Sequence, residues 1–239
     1  MIANLKIKIF ADGADLASIK EMYENPLIKG YTTNPTLMRK AGIQDYKAFA
    51  QQVLQIIPDR PISFEVFADE FNEMERQAFE IASWGKNVSV KIPVTNTRRE
   101  FAGKLIGRLS DRGVALNVTA LTTLEQVRSV TAHLSPTVPA VISVFAGRIA
   151  DTGLDPVPMM AEAVSIMRDK PYAELIWASP RELLNIFQAD SVGCHIITVT
   201  GDLLKKLPLI GKDLNQYSLE TVQMFYEDAK AAGYRIITT

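Results

Sequence analysis

The sequence contains very little cysteine and histidine. Among its 239 residues there are one cysteine, Cys194, and two histidines, His133 and His195. A single cysteine excludes a disulfide bond within the chain, and the apolar neighbours of Cys194 predict a buried thiol. Because the two histidines are far apart in the sequence, a metal site built on histidine is not expected.

The chain also lacks an excess of charge and a long apolar run. Its net charge is −1 at neutral pH, and no block of basic residues occurs. Nucleic acid and membrane surfaces are therefore not expected as partners. No apolar run approaches the length of a membrane span, and the first fifteen residues hold no stretch long enough for a signal peptide. We therefore expect a cytoplasmic protein.

What the sequence does contain is a repeated pair of segments. Hydrophobic residues make up 47% and charged residues 22% of the chain, as in an ordinary globular protein. Eight short β-branched apolar runs are each followed by a longer amphipathic segment, at the spacing of roughly 20 to 35 residues that a βα unit requires. The predicted strands are residues 5–10, 28–32, 62–66, 88–92, 114–118, 138–144, 173–177 and 195–199.

The segments between these runs have helical periodicity. Residues 45–57 and 70–84 each carry an apolar stripe, and the segment Ser179-Pro180-Arg181-Glu182 is typical of a helix start with Ser179 as N-cap. Eight units favour a closed (β/α)₈ TIM barrel over a doubly wound sheet, whose GxGxxG motif is missing after the first strand. We predict one barrel domain over residues 1–239, with 214–232 as an additional C-terminal helix.

Polar residues stand at the ends of several predicted strands. Because side chains alternate along a strand, the apolar residues of each run face the helices and the residues between them face the barrel interior. The inward polar residues near the strand ends are Asp12, Glu65, Lys91, Asn117, Thr119 and Ser143. The carboxyl ends of the strands of a barrel meet on one face, where active sites lie, so we expect these side chains to converge.

Lys91 is the candidate nucleophile of this cluster. A lysine in a partly desolvated pocket can attack a carbonyl carbon to form an imine. Asp12 and Glu65 can divide the proton transfers around such an imine between them. The alternative for Lys91 is a lysine that extends to the barrel mouth and pairs with Glu65, and either carboxylate alone could be a counter-charge.

Further candidates follow other strands. Asn34, Asn117, Thr119 and Ser143 could bind sugar hydroxyl groups, although Asn34-Pro35 alone is typical of a turn. Arg148 and Arg181 follow the sixth and seventh strands, where barrels commonly bind phosphate. Each arginine taken singly could instead be a partner in a surface salt bridge.

Four segments, taken together, resemble the transaldolase family. The segment Gly30-Tyr31-Thr32-Thr33-Asn34-Pro35-Thr36-Leu37-Met38 resembles its strand-2 signature, and Val90-Lys91-Ile92-Pro93-Val94-Thr95 resembles its Schiff-base lysine segment. The sequences Asn117-Val118-Thr119-Ala120 and Ile142-Ser143-Val144-Phe145-Ala146-Gly147-Arg148-Ile149-Ala150-Asp151 are similar to its strands 5 and 6. The resemblance runs from Asp12 to Thr198.

This resemblance implies a class I aldolase mechanism without a cofactor. Lys91 would form the imine, Asp12 would take the C4 hydroxyl proton, and Glu65 with Thr119 would hold a water that shuttles protons. Other residues that the resemblance implies would bind the substrate: Asn34, Asn117 and Ser143 the dihydroxyacetone part, and Arg148, Ser179 and Arg181 the terminal phosphate. Thr33 and Phe145 are further candidates for substrate binding.

The same resemblance implies a reaction of sugar phosphates. A dihydroxyacetone unit would pass from a ketose phosphate such as fructose 6-phosphate or sedoheptulose 7-phosphate to an aldose phosphate, as in the pentose phosphate pathway of carbohydrate metabolism. Short members of the family assemble into homo-oligomers, pentamers or decamers, through the C-terminal helix. Fructose 6-phosphate aldolases, which release dihydroxyacetone, are a close alternative, but they carry glutamine and tyrosine in place of Glu65 and Phe145.

Two other functions stay open at this point. Pro180 interrupts the expected anion loop, so a transaldolase acting on a sulfonated sugar is one alternative. A barrel that binds sugar phosphates without catalysis is the other, although such a protein has no need for both Lys91 and Asp12, which this chain retains.

Overall fold

The computed structural model describes residues 5–238, and the ends of the expected domain, residues 1–4 and 239, lie outside the described residues. Eight parallel strands pair in sequence order and close into a barrel, because β1 pairs with both β2 and β8. The predicted (β/α)₈ barrel is therefore confirmed. The strands are β1 (Lys8–Asp12), β2 (Ile28–Thr32), β3 (Ile62–Glu65), β4 (Val88–Pro93), β5 (Leu116–Leu121), β6 (Ala140–Val144), β7 (Ala173–Trp177) and β8 (Ile196–Thr200).

Helices follow each strand and cover the outside of the barrel. They are α1 (Leu16–Tyr23), α2 (Pro35–Lys40), α3 (Tyr46–Ile56), α4 (Phe71–Ala82), α5 (Gly103–Asp111), α6 (Leu124–His133), α7 (Ala146–Asp151), α8 (Pro156–Ile166), α9 (Leu184–Ser191), α10 (Gly201–Leu204) and α11 (Leu214–Ala231). A short 3-10 helix at Leu207–Leu209 precedes α11. Within residues 5–238, none of these helices has the length and apolarity that a membrane crossing requires.

The main core lies between the strands and the helices. Outward residues of the strands, such as Phe64 and Trp177, are fully buried against the apolar stripes of the helices. Cys194 belongs to this layer, which confirms the buried thiol, and burial raises its pKa to about 12. The outer layer thus fixes each strand, and with it the direction of the inward side chains.

The inside of the barrel is filled in layers. Nearest the amino ends of the strands, the Lys8 ammonium group pairs with the Glu174 carboxylate at 2.6 Å. Above this pair, Phe10 packs with Ile176 and Ile196 in a small apolar cluster. A side chain at Gly30 would lie 2.5 Å from the Phe10 ring, so glycine is needed there. This apolar cluster therefore closes the barrel above the ion pair and separates it from the polar side chains at the carboxyl ends of the strands.

The first strand starts later than predicted. Residues 5–10 were expected to form it, but β1 begins at Lys8 and continues to Asp12. The reason is Asp190, whose Oδ1 accepts hydrogen bonds from the backbone N–H groups of Lys6 at 2.7 Å and Ile7 at 2.9 Å. These two residues are therefore held by a side chain instead of by a neighbouring strand.

The predicted helix start at Ser179 is wrong, since α9 begins at Leu184. Ser179 has a φ of 59°, in the left-handed region, which does not fit an N-cap. The N–H groups of Arg181 and Glu182 donate instead to Asn185 Oδ1, at 2.8 and 3.1 Å. An irregular loop therefore follows β7 and brings Ser179 to the rim of the barrel.

The C-terminal helix is present but unburied. The sequence predicted it over 214–232, and α11 covers Leu214–Ala231 with Asp213 as its N-cap. No residue of α11 is buried. Several of its large apolar side chains are more than half exposed: Leu214, Val222, Met224, Phe225 and Tyr226.

Candidate active site

A cavity of about 410 Å³ opens at the carboxyl ends of the strands. It lies where the alternation of side chains predicted a cluster of polar groups. Ten of the twelve predicted site residues line it: Asp12, Asn34, Glu65, Lys91, Asn117, Thr119, Ser143, Phe145, Arg148 and Ser179. The two that do not are Thr33 and Arg181.

Lys91 is buried in the wall of this cavity, with 7% of its surface exposed. Its Nζ donates a hydrogen bond to the backbone oxygen of Thr33 at 2.9 Å and lies 3.2 Å from Glu65 Oε2. Glu65 is the direct neighbour of Lys91 in the pairing of β3 with β4. The amine is thus held in one place by two acceptors, one directly after β2 and one at the end of β3.

Asp12 ends β1 and lines the cavity three strands away from Lys91 in the barrel order. Its carboxylate accepts hydrogen bonds from Thr32 Oγ1 at 2.8 Å and from Asn34 Nδ2 at 3.4 Å. Burial raises the pKa of Asp12 above its ordinary value, and the positive charge of Lys91 and the Thr32 hydroxyl oppose this shift without cancelling it. A carboxylate with a raised pKa is a stronger base, so Asp12 is suited to accept a proton.

A chain of buried polar side chains forms the floor of the cavity. Asn117 Nδ2 donates to Ser63 Oγ at 3.0 Å, and the Ser143 hydroxyl donates to Asn117 Oδ1 at 2.7 Å. All three side chains are buried. Their mutual bonds fix the rotamer of Asn117 and leave its second N–H free to bind a molecule in the cavity.

A bulge in β5 shapes the wall beside Lys91. The pairing of β5 with β6 shifts between Val118 and Leu121, and Ala120 has a φ of 67°. This irregularity turns two successive residues, Thr119 and Ala120, toward the cavity. The Thr119 hydroxyl is buried and has no hydrogen-bond partner within the described part of the chain, so it can bond to a molecule in the cavity.

The rim is formed by the segments that follow β6 and β7. The guanidinium carbon of Arg148 lies 5.5 Å from the centre of the Phe145 ring. A side chain at Gly147 would lie 1.5 Å from the Ser179 backbone oxygen, so the two segments touch through a glycine. This contact holds Ser179 beside Phe145 and Arg148 at the mouth of the cavity.

Thr33 and Arg181 are not among the lining residues. The Thr33 hydroxyl donates to the Ser63 backbone oxygen at 3.0 Å, and only the carbonyl of Thr33 reaches Lys91. The guanidinium group of Arg181 forms an ion pair with Asp151 and donates to the Ser179 oxygen at 2.8 Å. Arg181 therefore contacts the rim from behind, while Arg148 is the arginine that faces the cavity.

Sequence reasoning missed several residues in and around the site, among them Thr32, Thr198 and Tyr46. Thr32, which bonds to Asp12, could have been found, because it ends β2 in register with Asp12. Thr198, on β8, lines the cavity and follows the inward phase of its strand. Tyr46 bonds to the backbone of Glu65, but it belongs to the apolar stripe of α3, and its periodicity indicates only a core residue.

Metal-ligating side chains do not cluster here. Among residues 5–238, no three histidine, cysteine, aspartate or glutamate side chains come together in a way that could hold a metal ion. The side chains that could take part in chemistry are one amine, two carboxylates and a set of hydroxyl and amide groups. Such a set suits covalent attack on a carbonyl group combined with proton transfer.

Comparison with known proteins gives one family over nearly the whole chain. Residues 9–236 match the family model described as Transaldolase/Fructose-6-phosphate aldolase. Two relatives named "Probable transaldolase" are similar in sequence. One, from Dehalococcoides mccartyi, is 36% identical over 84% of this chain and 90% of its own length. The other, from Thermoanaerobacter sp., is 33% identical over 96% of this chain and 100% of its own length.

A third relative carries the same family name, and a solved structure is similar in fold. A "Probable transaldolase 2" from Listeria monocytogenes is 33% identical over 88% of this chain and 94% of its own length. Among solved structures, a 2,3-dimethylmalate lyase of the PEP mutase/isocitrate lyase superfamily has a TM-score of 0.54. It is 12% identical in sequence and covers 100% of this chain and 88% of its own. At that identity the likeness shows the barrel fold alone.

Proposed function

Since the chain belongs to the transaldolase/fructose-6-phosphate aldolase family, we propose that it is a transaldolase that works through a Schiff base on Lys91 and needs no metal or other cofactor. The observation that carries this proposal is the buried Lys91 amine, held by Thr33 and Glu65 in the wall of the cavity. Its substrates would be a ketose phosphate as donor and an aldose phosphate as acceptor.

The first step is the attack of the Lys91 amine on the ketose carbonyl carbon. The C–N bond forms, the carbonyl oxygen leaves as water, and the resulting imine can take up the electron pair of a breaking carbon–carbon bond. Glu65 lies within contact of the amine, and the free Thr119 hydroxyl faces the same space. These two side chains can hold the water that carries protons during imine formation.

The second step is the cleavage of the C3–C4 bond. Asp12 takes the proton of the C4 hydroxyl, the aldose phosphate leaves as an aldehyde, and the electron pair moves into the imine to give an enamine. The raised pKa of Asp12 supports this role, because burial makes its carboxylate a stronger base. In the reverse sense, Asp12 returns the proton when the enamine attacks the acceptor aldehyde.

The substrate is held between the floor and the rim. Asn117, Ser143 and Asn34 present amide and hydroxyl groups where the dihydroxyacetone part would lie. Arg148 and the Ser179 hydroxyl lie at the mouth, where the terminal phosphate would bind. The guanidinium group of Arg148 is exposed and suits a phosphate or a sulfonate, so a sulfonated sugar is the alternative for the anion.

Transfer is favoured over release of dihydroxyacetone by Phe145. The enamine must survive until the acceptor arrives, and water close to its carbon atom would allow protonation and hydrolysis. Phe145 lines the cavity with an apolar ring that offers no hydrogen bond to a water molecule. A tyrosine at this position would add such a group, and it would move the enzyme toward a fructose 6-phosphate aldolase.

One assay tests this proposal with two proteins. The wild type and Phe145→Tyr are given fructose 6-phosphate with and without erythrose 4-phosphate, and sedoheptulose 7-phosphate and free dihydroxyacetone are measured together. The wild type should form the seven-carbon product and little dihydroxyacetone, whereas Phe145→Tyr should shift the ratio toward release. Free dihydroxyacetone as the main wild-type product would favour the aldolase. No product from fructose 6-phosphate, or from other ketose phosphates supplied in its place, would favour a binding protein without catalysis.

The proposal includes a cellular setting and an assembly. A transaldolase of sugar phosphates would act in the cytoplasm, in the pentose phosphate pathway. The exposed apolar side chains of α11 support a homo-oligomer, because a surface of this kind is usually covered by a partner. We propose a pentamer or a decamer in which α11 of one subunit packs on its neighbour.

A further inference from the structure

The hydrogen-bond ladder between β2 and β3 stops one step before the site. In a parallel pair, the bonds alternate regularly between the two strands. Thr33 N–H donates to the Ser63 oxygen at 3.3 Å, so the next bond should join Glu65 N–H to the Thr33 oxygen. That bond is replaced by two others.

Both groups of the missing bond have new partners. The Thr33 oxygen accepts from Lys91 Nζ at 2.9 Å. The Glu65 N–H donates to the hydroxyl oxygen of Tyr46 at 2.7 Å, and that hydroxyl group lies 3.1 Å from the Glu65 backbone oxygen, to which it donates. The phenol thus takes the place of the Thr33 carbonyl at Glu65, and the carbonyl is left for Lys91.

The Tyr46 ring is held firmly in this position. It is the first residue of α3, and the N-cap Asp45 accepts from Ala48 N–H at 2.9 Å. The ring centre lies 4.6 Å from that of Phe67 and 5.3 Å from that of Trp84. Burial also raises the pKa of Tyr46, so the phenol keeps its proton at neutral pH and remains a donor.

We propose that Tyr46 is a positioning residue for Lys91 and Glu65, an inference that rests on the proposed Schiff-base function. Without the phenol, the Glu65 N–H has one acceptor within the ladder, the Thr33 oxygen. If the ladder were completed, the Glu65 N–H would compete with Lys91 Nζ for that oxygen, and the amine would be drawn toward Glu65. Tyr46 therefore sets the direction of the amine without touching the substrate.

The test is the Tyr46→Phe variant, compared with the wild type in single-turnover experiments with fructose 6-phosphate. Borohydride added at increasing times traps the imine and gives its rate of formation. We expect this rate and kcat to fall about tenfold or more, since small errors in the position of a reacting group cost this much. KM should change little, because the sugar and phosphate contacts come from other residues.

Two control variants separate the hydroxyl from packing. Tyr31→Phe removes a buried phenol in the outer layer, near Arg60 and away from the cavity. Phe67→Leu loosens the aromatic cluster around Tyr46 but keeps its hydroxyl. Both should form the imine at nearly the wild-type rate, and an equal loss in Phe67→Leu would overturn the inference.

Even with rapid unfolding and refolding, a tenfold fall in the first-order rate of trapping would require about nine-tenths of the protein to be unfolded. Urea unfolding of Tyr46→Phe shows whether the variant is folded in the assay. The wild type gives an independent check, because the Glu65 amide should exchange its hydrogen slowly. Fast exchange of the Glu65 amide, or a wild-type trapping rate in Tyr46→Phe, would overturn this inference but leave the proposed function standing. A wild type that traps no ketose would end the proposed function, and this inference with it.

Discussion

Burial raises the pKa of the Asp12 carboxyl group even though Lys91 acts in the opposite direction. Below its ordinary pKa of 3.8, the group is protonated in both the folded and the unfolded protein, and no charge has to be desolvated on folding. As the pH rises through the raised pKa, the folded state must hold a desolvated carboxylate, and stability is lost. Asp12 therefore lowers the free energy of unfolding at neutral pH.

The direction of this effect on the free energy of unfolding gives a prediction for Asp12→Asn. The variant should be inactive but more stable than the wild type at neutral pH, and its advantage should shrink as the pH approaches 3.8. Urea unfolding at several pH values measures the difference, and Asp169→Asn, at an exposed aspartate, is the control. A variant that is less stable than the wild type by the same amount at every pH would show that Asp12 is a structural hydrogen-bond acceptor.

The two rim arginines form a natural pair for comparison. Arg148 faces the cavity, whereas Arg181 is paired with Asp151 behind it. Arg148→Ala should lower kcat/KM for fructose 6-phosphate. The loss should correspond to about 1.5 to 3 kcal/mol of binding free energy, the contribution of one charge-assisted hydrogen bond. The loss should be much smaller for a ketose without phosphate.

Arg181→Ala is measured beside it with the same two substrates. If Arg181 also binds the anion, the variant should lose kcat/KM mainly for the phosphorylated ketose. If Arg181 only supports the Ser179 loop, kcat/KM should fall for both substrates and the thermal stability should fall as well. Equal losses for both substrates in Arg148→Ala would contradict the proposed phosphate site.

At the scale of the elements, the contact of α7 with the loop after β7 depends on Gly147. An alanine there would place Cβ 1.5 Å from the Ser179 backbone oxygen, and backbone must move to make room. We expect Gly147→Ala to lower the free energy of unfolding by about 1 to 3 kcal/mol and to raise KM for phosphorylated substrates.

Gly107→Ala is the matched control for this prediction. Gly107 also lies in a helix, α5, but its Cβ would meet the nearest atom at 3.7 Å, an ordinary contact. Alanine should therefore be neutral or stabilising there. Similar losses in both variants would mean that the close contact at Ser179 has no particular role.

The elements also show what the sequence could and could not predict. Alternation and spacing were enough for the eight strands and for the inward direction of Asp12, Glu65 and Lys91, because those signals are local. The start of β1 depends on Asp190, which is distant in sequence and caps Lys6 and Ile7. A pattern read from neighbouring residues cannot predict a contact between residues so far apart in the sequence.

Parts of the site were beyond prediction for the same reason. The bulge at Ala120 and the left-handed Ser179 are backbone irregularities of residues that usually avoid positive φ. The hydrogen bonds of Tyr46 to Glu65 and of Lys91 to Thr33 form only when three strands and a helix have come together, so no single segment predicts them. Sequence alone placed Ser179 at a helix start because its local motif fits one, while Gly147 and Asn185 decide otherwise.

For the whole molecule, the feature that a monomer leaves uncovered is the apolar surface of α11. It buries no residue, and Phe225 is 63% exposed. We predict that sedimentation of the wild type gives a pentamer or a decamer, and that Phe225→Ser gives smaller species. Glu227→Ser, on the same helix, should leave the assembly unchanged. A wild type that stays monomeric would contradict this, as would an unaltered Phe225→Ser assembly.

Borohydride reduction with fructose 6-phosphate, followed by mass mapping of the peptides, tests the central claim that Lys91 forms the Schiff base. The reaction is run with a chelator present, and Lys91→Met is the control. We predict a covalent adduct on the peptide that contains Lys91, and none in the Lys91→Met protein. An adduct on another lysine, or none with several ketose phosphates, would contradict the account.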